Sequence, residues 1–196
     1  MKVLVLTPPL GSAGGIQRYT LTLVRAIKEL FGEESVHVVS MSERAVPQAV
    51  ARASRPWADM ARMAMPQRKA RVSVLLKLRF GWQAIGAVAR WSPDLIICTH
   101  LALGPVGWLA ATVGERPYWI VAHGIEAWGS LPYAKRAALR QADQVVVTSA
   151  FNREQVVKRQ GIDRARILNL PCALDESLLR AEASVAVLQE AALPPC

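Results

Sequence analysis

Six short apolar runs punctuate the chain, at 2–7, 36–40, 94–99, 118–122, 144–148 and 166–170. They are rich in β-branched residues, and most are apolar throughout. Strict alternation would mark a strand with one wet face, whereas a continuous run marks a strand buried on both faces. Between the runs the period becomes helical. Ile16, Tyr19, Leu23, Val24, Ile27 and Leu30 follow the three-to-four spacing of one buried helix face. Val72, Leu75, Leu76, Arg79, Trp82, Ile85 and Val88 do so less cleanly, and 131–141 and 151–160 are two further helical stretches. This alternation predicts an α/β fold, a doubly wound Rossmann-like parallel sheet of about six or seven strands with helices on both faces. The stretch 41–67 breaks the rhythm. It holds Pro47, Pro56 and Pro66 and reads as an irregular excursion with helical pieces.

At 196 residues, the chain is long enough for one domain with a real core. The expected boundaries are a Rossmann-like domain over 1–178 and a helical tail, or the start of an interdomain linker, over 179–196. A sheet of this kind followed by a proline-containing tail reads as cut at a domain boundary. Lys and Arg total 24 against 15 Asp and Glu, a net charge of +9. That excess favours an anionic partner: a phosphate-bearing substrate, a nucleic acid or an anionic membrane. No helix-turn-helix, zinc or aromatic RNA-binding pattern appears, so nucleic acid is not expected. From 52 to 79 there are eight basic residues and one acid, Asp59, interleaved with Trp57, Met60, Met63 and Met65. Such a stretch is either a solvated face with Arg stems over apolar surface or a segment that lies on anionic lipid. Cys98, Cys172 and Cys196 lack metal-type spacing, so neither a metal site nor a disulfide framework is expected, and Cys98 reads as a buried small hydrophobe. The N-terminus is too short and too soon interrupted by proline for a signal peptide. The nearly uncharged run 101–114 is too short to span a bilayer. The expected location is cytoplasmic, peripheral at the inner membrane face if the basic stretch meets lipid.

Ligands of open α/β sheets bind outside the carboxyl ends of the strands. Two loops there carry suggestive residues. The first, PPLGSAGGIQR at 8–18, runs from the first strand into the first helix. Gly11, Gly14 and Gly15 permit close backbone approach, and a helix N-terminus attracts phosphate. The same glycines would equally serve a tight turn. Arg18 reads either as a diphosphate partner or as a surface charge. The spacing is G-x-x-G-G. Where a dinucleotide fold places its ribose-binding acid stand Ser40, Met41 and Ser42, which weighs against a nicotinamide dehydrogenase. The second loop, HGIEAW at 123–128, puts His123 at a strand end. His123 there can orient a sugar hydroxyl or phosphate oxygen and act as general acid or base; otherwise it is a ring satisfied by a neighbouring carbonyl. Glu126 would bind hydroxyls or cap the next helix. His100, after ICTH, either lines the same cleft or is structural, and His37 reads as structural.

The blocks KVLVLTPPLGSAGGIQRYTLTLVRAI, VAHGIEAW, KRAALRQADQVVVTSAFNREQVV and ARILNLPCALDESLL, in that order, resemble the N-terminal half of family 4 glycosyltransferases of the GT-B fold. The resemblance covers 2–179 and is weakest over 42–90. It implies an N-terminal domain that chiefly binds the acceptor, a second Rossmann-like domain that binds the nucleotide-sugar, and transfer with retention in the cleft between them. It implies that Gly14 and Gly15 approach the donor's phosphates or sugar and that His123 contacts the transferred sugar as the catalytic histidine. Ser149 matches a recurring serine after the fifth strand, and Asn169, Leu170, Pro171 and Asp175 match the stretch leading into the linker. The implied reaction moves a hexosyl group from a nucleoside-diphosphate sugar to a hydroxyl of a glycan or lipid-linked acceptor, without metal or cofactor. No nucleophile stands out, which suits a mechanism in which the leaving phosphate takes the acceptor proton. The family's second domain carries a glutamate pair. Glu182 and Glu190 share its spacing but lack its glycines and a preceding strand, so they read as ordinary helix residues. With the donor-binding domain absent, the expectation is an acceptor-binding half that is inactive alone. The alternative is a non-catalytic Rossmann-like binding or regulatory module.

Overall fold

The computed structural model describes residues 1–10, 14–41 and 74–173. Gly11, most of the basic stretch 52–79, Asp175 and the tail with Glu182 and Glu190 lie outside the described residues. Each of the six apolar runs is a strand: β1 Val3–Thr7, β2 Val36–Ser40, β3 Leu95–Cys98, β4 Tyr118–Ala122, β5 Gln144–Val147 and β6 Ile167–Asn169. They form one sheet in the order β2-β1-β3-β4-β5-β6, with every neighbouring pair parallel. The helices are α1 Gly15–Phe31, α2 Val74–Trp91, α3 Gly104–Gly114, α4 Tyr133–Gln141 and α5 Ala150–Gln160.

Alternate strand residues serve opposite faces. Leu4, Leu6, Ile96, Cys98, Ile120 and Val145 share a core with Phe80, Ala84, Ala110, Leu139 and Val156 of α2 to α5. Val3, Val5, Ile97, Val121 and Val146 share the other with Tyr19, Val24 and Ile27 of α1. This division follows from crossover handedness. The path from β1 to β2 runs one way along the sheet and the later crossovers run the other. Right-handed connections therefore place α1 on one face and α2 to α5 on the opposite one. Both sheet faces are thereby covered, which is why the strands are apolar throughout.

The helix α3 falls in the run 101–114, whose proline and glycines obscured it in the sequence. Pro105 sits in its first turn, where no intrahelical N–H is needed. Its glycines mark close approach to the layers around it. A Cβ at Gly107 would run into the Cys98 sulfur and the Tyr118 ring, and one at Gly104 would come within 2.9 Å of Ile120. Tyr118 is fully buried under this helix, its hydroxyl donating to the Gly104 carbonyl at 3.3 Å. Its backbone N–H donates to Asp143 Oδ2 at 2.7 Å. Cys98 is buried as expected, and burial pushes its thiol up to about 12.

The order reverses at β1 and β3. Chain leaves β1 toward β2 and leaves β3 toward β4, so the loops diverge and a crevice opens between the carboxyl ends of the two strands. The loop entering α1, the turn after β3 and the turn after β4 all reach this edge.

Candidate functional site

At the α1 N-terminus, Gly14 is the capping residue. As a glycine it offers no capping side chain of its own, and no acid stands in the first turn of the helix. Gly14 is extended, and neither Gly14 nor Gly15 has a positive φ. A Cβ at Gly14 would run into the Gln17 carboxamide, and one at Gly15 would meet nothing. Gly15 is therefore not demanded by turn geometry or by packing against the described residues, whereas a side chain at Gly14 would displace the Gln17 carboxamide. Gln17 Nε2 ties the loop down by donating to the Pro9 carbonyl at 3.3 Å. Arg18, in the first turn, has an exposed side chain.

His123 follows β4 and reaches across to β3. Its Nε2 lies 2.8 Å from the Thr99 carbonyl oxygen. A carbonyl only accepts, so Nε2 carries the hydrogen. In the neutral ring, Nδ1 is then the bare acceptor, and it has no hydrogen-bond partner among the described residues. One ring nitrogen is thus satisfied by a carbonyl, as one of the two readings of His123 expects, and the other is bare among the described residues. The Tyr19 ring stands edge-on to it, with centroids 5.1 Å apart at 89°. The His100 ring lies 6.4 Å away, tilted by 32°. The backbone of His123 is held on both sides. Its N–H donates to Glu126 Oε1 at 2.6 Å, and its carbonyl accepts from Thr148 Oγ1 at 3.0 Å.

Glu126 therefore turns back on its own loop, a partner that neither sequence reading named. Ser149, after β5, caps α5 by accepting from the Asn152 N–H at 3.1 Å, which leaves its hydroxyl hydrogen for another acceptor. His100 caps the 3-10 turn Leu101–Leu103, its Nδ1 accepting from the Ala102 N–H at 2.9 Å, so Nε2 carries the hydrogen in the neutral ring. His37 lies in β2 against the Trp91 ring, away from this edge.

Burial lowers the His100 pKa below its ordinary value of 6.5, with Glu126 opposing and His123 and Lys135 reinforcing. The unfolded chain therefore takes up this proton at a higher pH than the folded one. The stability His100 contributes as a neutral ring is complete above pH 6.5 and shrinks as pH falls from there toward the folded value. In His100→Asn, the Asn Oδ1 can take over the Ala102 N–H. Urea unfolding between about pH 8 and about pH 5 should show a shallower acid loss for this variant. An unchanged slope would exclude His100 as its source.

Sequence reading placed Tyr19 only as a helix-face position. The structure sets it beside His123, nearly fully buried, with a hydroxyl that has no hydrogen-bond partner among the described residues. Burial, and after it the nearby Cys172, push this phenol up to about 12. Thr7 Oγ1, at the end of β1, is likewise buried and unpartnered among the described residues. Thr99, Thr148, Asn152 and Gln160 have no signature in the sequence, because short polar side chains and helix carboxamides carry no motif.

The family described as Glycosyltransferase Family 4 matches residues 13–178. No curated protein sequence matches the chain. HepE from Anabaena, solved with UDP and glucose, is similar with a TM-score of 0.65 at 14% identity, over 97% of this chain and 49% of that one. The lipopolysaccharide outer core galactosyltransferase WaaB, in its apo form, gives 0.57 at 13% identity, over 86% and 44%. A UDP-GlcNAc 2-epimerase from Methanocaldococcus jannaschii, solved with UDP-GlcNAc and UDP, gives 0.59 at 9% identity, over 97% and 54%. At these identities the likeness is one of fold, and the fold hosts more than one chemistry. The chain spans about half the length of each of these solved proteins.

Proposed function

The chain belongs to glycosyltransferase family 4, and from that premise we propose that its sheet-edge cleft orients an acceptor hydroxyl against a nucleoside-diphosphate sugar. The observation that carries this reading is the bare Nδ1 of His123 at the same edge as the α1 N-terminus, which opens on Gly14 with no acid in its first turn. Free N–H groups at that terminus, approached closely over Gly14 and Gly15, attract the diphosphate. Arg18 in the same turn adds positive charge. His123 Nδ1 accepts from a sugar hydroxyl near the reacting carbon, and the Ser149 hydroxyl donates to a ligand oxygen. Glu126 holds the turn that carries His123. The UDP and glucose bound to HepE support a nucleoside-diphosphate sugar as the donor class.

In the retaining reaction we assign, the bond from the anomeric carbon to the leaving phosphate oxygen breaks. The acceptor oxygen bonds to the same face of that carbon, and its proton passes to the departing phosphate. The domain supplies orientation and fixed donors, which together lower the barrier for such a step. No metal or organic cofactor enters this reading. Residues 1–178 form the acceptor-binding half and 179–196 lead toward a second domain that holds the donor, so the chain by itself turns over slowly or not at all. The test is acceptor-dependent release of nucleoside diphosphate by the enzyme assembled with its donor domain, with the product anomer read by NMR. An inverted product would overturn the retaining step. Donor binding with no transfer to any acceptor would favour the non-catalytic module.

A membrane-facing partner is favoured by α2. Leu75, Leu78 and Trp82 are exposed on it alongside exposed Lys77 and Arg79, which continue the basic stretch 52–79. No helix among the described residues is long and apolar enough to cross a membrane. Apolar side chains beside basic ones fit the interface of an anionic leaflet, which would place the protein peripherally at the cytoplasmic face. Co-sedimentation with anionic vesicles at low salt is expected, weakening with salt and with Trp82→Ser. Equal sedimentation with neutral vesicles would remove this partner.

A further inference from the structure

The inward face of α5 carries Asn152, Val156 and Gln160. Two of these three are carboxamides, exposed by only 1% and 3%. Burying an amide is costly unless its groups are paired, so a helix that merely closed the core would be better served by aliphatic residues. Both amides are paired, and all of their partners lie within the turn 122–129. Asn152 Nδ2 donates to the Ala122 carbonyl at 2.5 Å, and its Oδ1 accepts from Trp128 Nε1 at 3.0 Å. Because the indole nitrogen only donates, it fixes which way the Asn152 amide points. Gln160 Nε2 donates to the Ala127 carbonyl at 2.6 Å and to the Gly129 carbonyl at 2.9 Å.

His123 lies inside the span these bonds enclose. Asn152 holds the carbonyl just before it, Glu126 holds its N–H, and Thr148 holds its carbonyl. Gln160 holds the far end of the turn. We propose that Asn152 and Gln160 are positioning residues, a clamp from α5 that seats the His123 ring on the Thr99 carbonyl and thereby decides which ring nitrogen is left to a ligand. That the remaining nitrogen serves sugar transfer rests on the function proposed above. The seating itself does not, and it is measurable without turnover.

Imidazole nitrogen spectra of the full 196-residue chain, labelled at histidine, should show His123 in the Nε2–H form. Asn152→Ala should raise the Nδ1–H population by about fivefold, the change expected when one stabilising hydrogen bond is lost. Val156→Ala, on the same helix face but with no bond to the turn, should leave the His123 signals in place. Asn152→Asp keeps the shape and the acceptor for Trp128 but, as a carboxylate, cannot donate to Ala122; it should behave like the alanine variant. Unchanged His123 signals in a folded Asn152 variant, or an equal change in Val156→Ala, would overturn the clamp. So would loss of folding in both Asn152 variants while Val156→Ala folds, since the role would then be structural alone. A spectrum as expected together with no sugar transfer by the assembled enzyme would retain the clamp and reject the transferase reading.

Discussion

His123→Ala is expected to lower kcat/KM for sugar transfer by about a hundredfold or more, the range covered by lost orientation and lost proton acceptance at a reacting hydroxyl. The expectation follows from the ring's two contacts. Nε2 is committed to the Thr99 carbonyl, so only Nδ1 can meet a substrate. Removing the ring deletes that contact and leaves the β4 backbone in place, because the Glu126 and Thr148 bonds involve main-chain atoms of residue 123. The stability cost should stay near the ~0.5–1.5 kcal/mol of one hydrogen bond. Steady-state kinetics on the assembled enzyme, beside urea unfolding of the same variant, check both halves. A loss below tenfold with normal folding would move the chemistry away from this residue.

The other large effect lies in the layer beneath. Tyr118→Ala should destabilise the fold by about 3–5 kcal/mol, the usual cost of emptying a buried aromatic site. Tyr118 is the largest of the fully buried side chains among the described residues and is packed under α3, where the missing Cβ atoms of Gly104 and Gly107 admit it. Tyr118→Phe keeps the ring and loses the hydroxyl's 3.3 Å bond to Gly104 and its hydrogen bond with Cys98, for a cost of about 1 kcal/mol. Denaturant unfolding of the pair separates packing from hydrogen bonding. Equal losses would place the energy in the hydroxyl instead.

The strands were legible because a sheet covered on both faces needs apolar residues at every position, and Leu95 to Cys98 or Val145 to Val147 can be read as little else. The helix α3 was not, because its glycines and proline are breakers in sequence and packing devices in space. Gly107 makes sense only once Cys98 and Tyr118 lie against it. His123 was legible from its place at a strand end. Its division into one satisfied and one bare nitrogen was not, since Thr99 is distant in sequence. The turn of Glu126 back onto the His123 N–H also had no signature, because Glu at that spacing serves a cap equally well. Asn152 and Gln160 look like ordinary solvated residues of a polar helix. Only the fold brings the turn 122–129, some thirty residues upstream, against that face.

Sugar transfer is proposed to occur at the carboxyl edge between β1, β3 and β4. A crystal structure of the assembled enzyme with a nucleoside-diphosphate sugar tests it most directly. The expected result is the sugar at that edge, with one hydroxyl at a hydrogen-bond distance of about 3 Å from His123 Nδ1 and the diphosphate facing the N–H groups of the first turn of α1. A sugar seated at the opposite edge, near Lys2, Asp94 and Asp143, or at the carboxyl edge with His123 Nδ1 out of reach, would rule out transfer at this site.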